Sequence, residues 1–206
     1  MKPFGAALWI AIYAGVLLWS SIEPYDLLTW LLETLPAMVG AAVLAATYQR
    51  FRLTGLTYTL ILIHAVILMV GGHYTYAEVP LFDNLSELFG WQRNNYDKLG
   101  HLAQGFVPAM IAREILIRNQ VIPNAAWRNF FIVCFCLALS AMYELIEWVA
   151  ALTSEEAAEA FLGTQGYVWD TQSDMAWALC GSILALALLG RLHDKQLGTL
   201  PPPNPS

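Results

Sequence analysis

Long apolar runs separated by short polar clusters set the pattern of this chain. Positions 3–22 carry no charged residue, 27–48 carry only Glu33, and 53–72 are uncharged with His64 near their middle. Each run meets the roughly 20 residues needed to cross a hydrocarbon core about 30 Å thick. Three later runs, 99–112, 129–143 and 175–190, reach that length only by continuing through charged ends. The first then extends from Asp97 to Arg118, the second through Glu144 and Glu147 to Ala151, and the third from Thr171 to Arg191. The pattern predicts an all-α, polytopic membrane protein with six transmembrane helices. A single integral domain is expected over residues 1–198, with a disordered Pro-rich tail over 199–206.

Two connecting stretches predict short outer amphipathic helices. In PLFDNLSELFG, Leu81, Phe82, Leu85, Leu88 and Phe89 recur at helical spacing between Pro80 and Gly90. In SEEAAEAFLG, Ser154 is an N-cap residue type, glutamates fill the first turn, and Gly163 ends the stretch. SSIEPYD, after the first run, lacks a small-residue cleavage pattern, so that run reads as a retained helix. No internal repeat is visible, which leaves an inverted-repeat transporter without support.

Basic residues orient the spans. With both termini cytoplasmic, Lys2, Arg50, Arg52, Arg113, Arg118, Arg128, Arg191 and Lys195 fall inside, and only Arg93 and Lys98 fall outside. Trp19, Trp30, Trp148 and Trp169 then form an outer aromatic belt. The expected location is the inner (cytoplasmic) membrane of a bacterium. A net charge of −6 without a basic block excludes nucleic-acid binding. Cys134, Cys136 and Cys180 lie within apolar runs and form neither a disulfide framework nor a zinc-type pairing.

Charge collects on one side. Asp97 and His101 open the fourth span, Glu144 and Glu147 occupy the outer third of the fifth, and Asp170 and Asp174 open the sixth. His73 ends the third, and Glu33 lies about 9 Å below the outer end of the second. Asp97 and His101 are spaced i,i+4, as are Asp170 and Asp174, while Glu144 and Glu147 are i,i+3, so each helix offers two ligand-type groups on one face. Ser140 sits one turn below Glu144, and Tyr143 shares a face with Glu147. Gly100, Gly105 and Gly181 permit close helix approach. Because an ionisable group within a bilayer costs roughly 2.5–3.5 kcal/mol on insertion scales, convergence, in which the groups share partners, water or a cation, is favoured over scattered placement. Clustered acids would be protonated or neutralised by a cation. Carboxylates with one or two histidines suit a divalent ion such as Mg, Mn, Zn or Fe. Expected ligands are Asp97, His101, Glu144, Asp170, Asp174 and His73, with Glu147 and Glu144 as candidate catalytic groups. His64, alone in an apolar span, is expected to hydrogen-bond across helices. His193 is expected to lie on the cytoplasmic side without a role, and Arg113 and Glu114 to pair at the inner surface.

GGHYTYAEVPLF, RNNYDKLGHLAQGFVPA, YELIEW and LGTQGYVWDTQSDM together resemble the YjdF family of bacterial inner-membrane proteins, along nearly the whole chain. More distantly, Asp97-Lys98 with His101, then Glu144, then Asp174 resembles the VanZ-like family, whose members are associated with glycopeptide resistance at the cell envelope. Ala178 stands where that family commonly has an Asn, and Trp148 replaces a polar residue. Together these features lead to an expected metal-dependent membrane enzyme acting on a lipid or lipid-linked envelope substrate. The alternatives are a cation- or proton-coupled small transporter and a non-catalytic envelope binding or resistance protein. Oligomeric state is left open by the sequence.

Overall fold

The computed structural model describes residues 3–152 and 165–200. Among these the chain forms seven α-helices and no strand: α1 (Pro3–Ser20), α2 (Leu27–Thr47), α3 (Gly55–Tyr74), α4 (Pro80–Phe89), α5 (Tyr96–Arg118), α6 (Ala125–Ala151) and α7 (Asp170–Leu197). The stretch 154–163, expected as a second amphipathic helix, lies outside the described residues, as does the tail from 201 onward.

Local sequence explains where these helices begin. Asp26 caps α2 by accepting from the Thr29 backbone N–H at 2.7 Å, and that hydrogen bond holds its carboxyl below the usual range. Thr54 caps α3 through Thr57 N, and Asn124 caps α6 through the backbone N–H groups of Ala126 and Trp127. Helix α4 starts with Pro80 at its first turn and ends on Gly90, whose φ of 67° is a left-handed conformation that glycine adopts without strain.

By length and composition α2, α3, α6 and α7 can cross a bilayer, while the apolar part of α1, Gly5–Ser20, is shorter. Helix α5 is long but carries Asp97, Lys98, Arg113, Glu114 and Arg118, so it does not reach the apolar character of the other four. Packing accounts for this difference. Helix α5 packs against α3, α6 and α7 and buries Gly100, His101, Ala103, Gly105, Val107, Ala109, Met110, Arg113 and Glu114. A central helix touches protein on most sides and can carry polar groups that a lipid-facing helix cannot.

The α5–α7 seam is the closest in the bundle. A methyl group built on Gly105 would overlap the Ala178 backbone carbonyl, and one on Gly181 would overlap the carbonyl of Leu102. Two apolar clusters flank the seam region. One joins Ala109 and Met110 of α5 to Ile132 and Cys136 of α6 and Ala185 of α7. The other joins Ala37 of α2 to Ala65 and Met69 of α3, with Tyr13, Val16 and Leu17 of α1 packed on it. The bundle thus consists of two three-helix groups joined where α3 meets α5.

Candidate functional site

Where the two groups meet at the end formed by the start of α5 and α7 and the end of α3 and α6, polar side chains converge. Asp97, His101 and Asp174 each present one ligand-type atom within 4.8 Å of the others. His101 Nε2 lies 3.3 Å from Asp97 Oδ1 and 3.6 Å from Glu144 Oε1. On its other side, His101 Nδ1 faces Gln104 Oε1 at 3.0 Å. An amide oxygen only accepts, so this contact makes Nδ1 the protonated nitrogen and turns Nε2 toward the acids. A neutral imidazole would then direct a lone pair at two carboxylates. Such an arrangement needs a proton or a cation between them.

Burial sharpens that requirement. His101 is 5% exposed, Glu144 8% and Asp174 3%. Yet among the described residues Glu144 Oε1 and Asp174 Oδ1 have no hydrogen-bond partner, and neither does the buried Ser140 Oγ one turn below Glu144. The 3.6 Å approach of His101 to Glu144 is within ion-pair range but too long for a hydrogen bond. Buried polar atoms are nearly always satisfied, and each exception needs a reason.

Beside this cluster lies a cavity of about 420 Å³ between the two helix groups. Glu33, Tyr76, Asp97, His101, Gln104, Tyr143 and Glu147 make one end polar, and the remainder is almost entirely apolar. Glu144 and Asp174 are not in its lining and reach His101 from α6 and α7. The Tyr143 hydroxyl donates to Glu33 Oε2 at 2.9 Å, tying α6 to α2 across the polar end. Tyr76 enters after a sharp turn at Thr75, whose φ of 62° is a strained conformation for a β-branched residue. Gly71 and Gly100 make room for the Tyr76 ring: a Cβ at either would lie 2.6 or 2.8 Å from its atoms. Burial, and next the charge of Glu33, keep the Tyr76 phenol well above its ordinary pKa, so it remains protonated.

The segment NNYDKLGH divides between two jobs. Asn94 is structural: its amide donates to Val79 O at 3.0 Å and Asp83 Oδ1 at 2.7 Å, and its Oδ1 accepts from Tyr96 N at 3.0 Å. It fastens α4 to the start of α5. Asp97 and His101, one turn apart, belong to the cluster.

Two expected ligands stand elsewhere. Asp170 is ion-paired with Arg93, whose guanidinium lies 5.4 Å from the Tyr167 ring centroid. His73 turns Nδ1 to the Ser20 carbonyl at 3.1 Å and packs its ring 4.5 Å from that of Trp19. A residue at the end of a span sits at the right depth, but helix rotation decides which neighbour it meets, and His73 faces α1. His64 lines the cavity and, among the described residues, makes no cross-helix hydrogen bond. Gln104 and Tyr76 were not expected. Gln104 had a signal, since it is i+3 from His101 on the same face. Tyr76 had none, because its place depends on the turn at Thr75.

At the opposite end, Arg113 and Glu114 do not pair with each other. Glu114 accepts from Thr54 N at 2.9 Å, Thr54 Oγ1 at 2.9 Å, Thr57 Oγ1 at 2.8 Å and Arg118 at 3.3 Å. His193 Nε2 lies 3.1 Å from Glu114 Oε2, and Arg113 contacts His193 Nδ1 at 3.1 Å and Asp194 at 2.7 Å. His193, fully buried, is the centre of a network joining α3, α5 and α7.

The sequence matches the family model described as "Predicted membrane protein (DUF2238)" over residues 5–195. It is 51% identical over 182 residues to the inner membrane protein YjdF of Escherichia coli (strain K12), an alignment covering 88% of this chain and 87% of that one. The VanZ-like likeness is not carried by these matches. No solved structure matches the chain. With its apolar helices, the chain is a membrane protein and belongs to the YjdF/DUF2238 family.

Proposed function

We propose that this is an inner-membrane protein of six spans over a single domain, 1–198, with both termini cytoplasmic. Its outward-facing site holds a divalent cation and acts on a lipid or lipid-linked envelope substrate. Support for the two additional spans comes from α1, which packs on α3, and from α5, which at 23 residues is about 35 Å long. Support for orientation comes from Arg52, Arg113, Arg118 and Lys195, which gather at the end away from the Asp97–His101 cluster.

The observation that carries the reading is the pair of buried carboxylate oxygens without a partner among the described residues, Glu144 Oε1 and Asp174 Oδ1, around His101. An acidic cluster alone is common, but buried carboxylate oxygens without donors cost several kcal/mol each unless a proton or a cation joins them, and a shared cation satisfies both at once. Asp97, His101 and Asp174 are the ligands, with Glu144 as a fourth, and Gln104 fixes the imidazole tautomer. Glu147, in the cavity wall, is the general base, and Tyr76 is a protonated donor at the same end. When bound, the cation would supply Lewis acidity and an activated water.

Elemental analysis of protein purified without chelator tests this reading. One divalent ion per chain is expected in the wild type, with loss in Asp174→Asn and Glu144→Gln, which keep shape while removing charge. A wild type with no stoichiometric metal and no response to added Mg, Mn, Zn or Fe overturns it.

A further inference from the structure

The apolar part of the cavity names the substrate more closely, and this inference rests on the cation reading for the headgroup end alone. Along α5 the lining runs from Asp97 to Ile111, a distance of about 21 Å at 1.5 Å per residue. One leaflet of a hydrocarbon core is about 15 Å deep, so the cavity follows the bilayer for more than the depth of a leaflet. Its volume of about 420 Å³ falls within the roughly 300–1,000 Å³ of pockets that enclose small ligands.

The mouth opens sideways. Leu35 of α2 and Met142 and Ile146 of α6 all line the cavity, yet are 44%, 52% and 50% exposed. Half-exposed lining residues on two helices that are not among the closely packed pairs point to an opening of the cavity between α2 and α6. At the polar end the Tyr143–Glu33 hydrogen bond bridges this gap. Deeper in, Gly40 and Ala41 keep the wall thin, and a Cβ on Gly40 would meet nothing within 4 Å. Both lips are apolar and lie on membrane-spanning helices, so the material at the mouth is lipid rather than water.

We propose that this cavity is a slot for one hydrocarbon tail of a membrane lipid, entered from the bilayer between α2 and α6. The tail lies along α5, and the lipid's phosphate meets the cation at the Asp97–His101 end. Acids without that cation would repel a phosphate, whereas a bound cation bridges the two. An amphiphile with apolar length and an anionic head matches both halves of the cavity. A soluble phosphate compound matches only one.

Native mass spectrometry of the full chain in detergent micelles tests the slot, with palmitoyl lysophosphatidic acid and glycerol phosphate as probes, each with and without EDTA. The wild type should hold one lysolipid per chain, tail binding should persist in EDTA, and glycerol phosphate should not be retained. Gly40→Leu adds bulk at the cavity wall, where a Cβ meets nothing within 4 Å, and should weaken lysolipid retention by about tenfold or more, equivalent to about 1.4 kcal/mol. Leu35→Trp at the exposed lip should act in the same direction without disturbing packed residues. Asp174→Asn should lose the cation and leave the EDTA-resistant tail binding in place, which separates failure of the metal site from failure of the slot. Equal lysolipid retention by wild type, Gly40→Leu and Leu35→Trp overturns the proposal. So does glycerol phosphate binding as tightly as the lysolipid, or a lipid-free dimer whose interface is the α2–α6 face.

Discussion

Helices α5 and α7 each carry two polar clusters, one at either end, and the clusters differ in how completely their atoms are paired. At one end Glu114 is buried with every neighbour donating: Thr54, Thr57, Arg118 and His193. At the other, Glu144 and Asp174 are almost as deeply buried, yet each has an oxygen with no donor among the described residues, and a further acid, Asp97, stands beside them. Burial is alike in both places, so it does not distinguish a structural network from a binding site. Pairing does. A buried network with all partners present fixes three helices to one another, while one with missing donors is complete only when something else binds.

The contrast predicts opposite responses to charge removal. The largest effect is expected at the satisfied end. Glu114→Ala leaves His193 buried without its acceptor, removes one of the acceptors of Arg118, and should lower stability by about 3–5 kcal/mol, read as unfolding in detergent. Next comes the seam that joins the clusters. Gly105→Ala drives a methyl group into the Ala178 carbonyl and should cost about 1–3 kcal/mol, loosening both ends together. If it left stability unchanged, α5 and α7 would not be the rigid link between the clusters.

At the unsatisfied end the sign reverses. Asp174→Asn in metal-free protein replaces a buried carboxyl, one oxygen of which has no donor among the described residues, with a neutral amide, and should stabilise by about 0.5–2 kcal/mol, the pattern of a site that sacrifices stability for binding. A loss of stability as large as that of Glu114→Ala would remove the distinction between the clusters. The smallest effect is expected at His73. His73→Phe keeps the stacking on Trp19 and loses one hydrogen bond to Ser20, about 0.5–1.5 kcal/mol. Cation content should be unchanged, because His73 faces α1 rather than His101.

Much of the unsatisfied cluster could be read from the sequence, and little of the satisfied one. Asp97 with His101 and the depths of Glu144 and Asp174 follow from helix arithmetic, because alternating spans bring residues at equal depth to the same end. Rotation about each helix axis does not follow, which is why His73 and Asp170 shared the right depth but found Ser20 and Arg93 instead. Glu114 and His193 lie near helix ends rich in Arg and Lys, where charged residues ordinarily meet water. Their burial depends on Thr54 and Thr57 at the start of α3, more than fifty residues before Glu114, a pairing with no local signal. Likewise the place of α5 at the centre of the bundle explains its polar character, and periodicity alone suggested only a weak span.

The most direct measurement is the unfolding stability of wild type, Asp174→Asn and Glu114→Gln, each with EDTA and with each candidate divalent ion, alongside metal content. A ligand held by the native state alone adds about 2.7 kcal/mol at a hundredfold excess over its Kd. The predicted result is a gain of that order in the wild type and in Glu114→Gln, whose baseline is lower, and no gain in Asp174→Asn. Equal responses from wild type and Asp174→Asn, or no response and no bound metal in any of them, would contradict the reading of the unpaired carboxylates as a cation site.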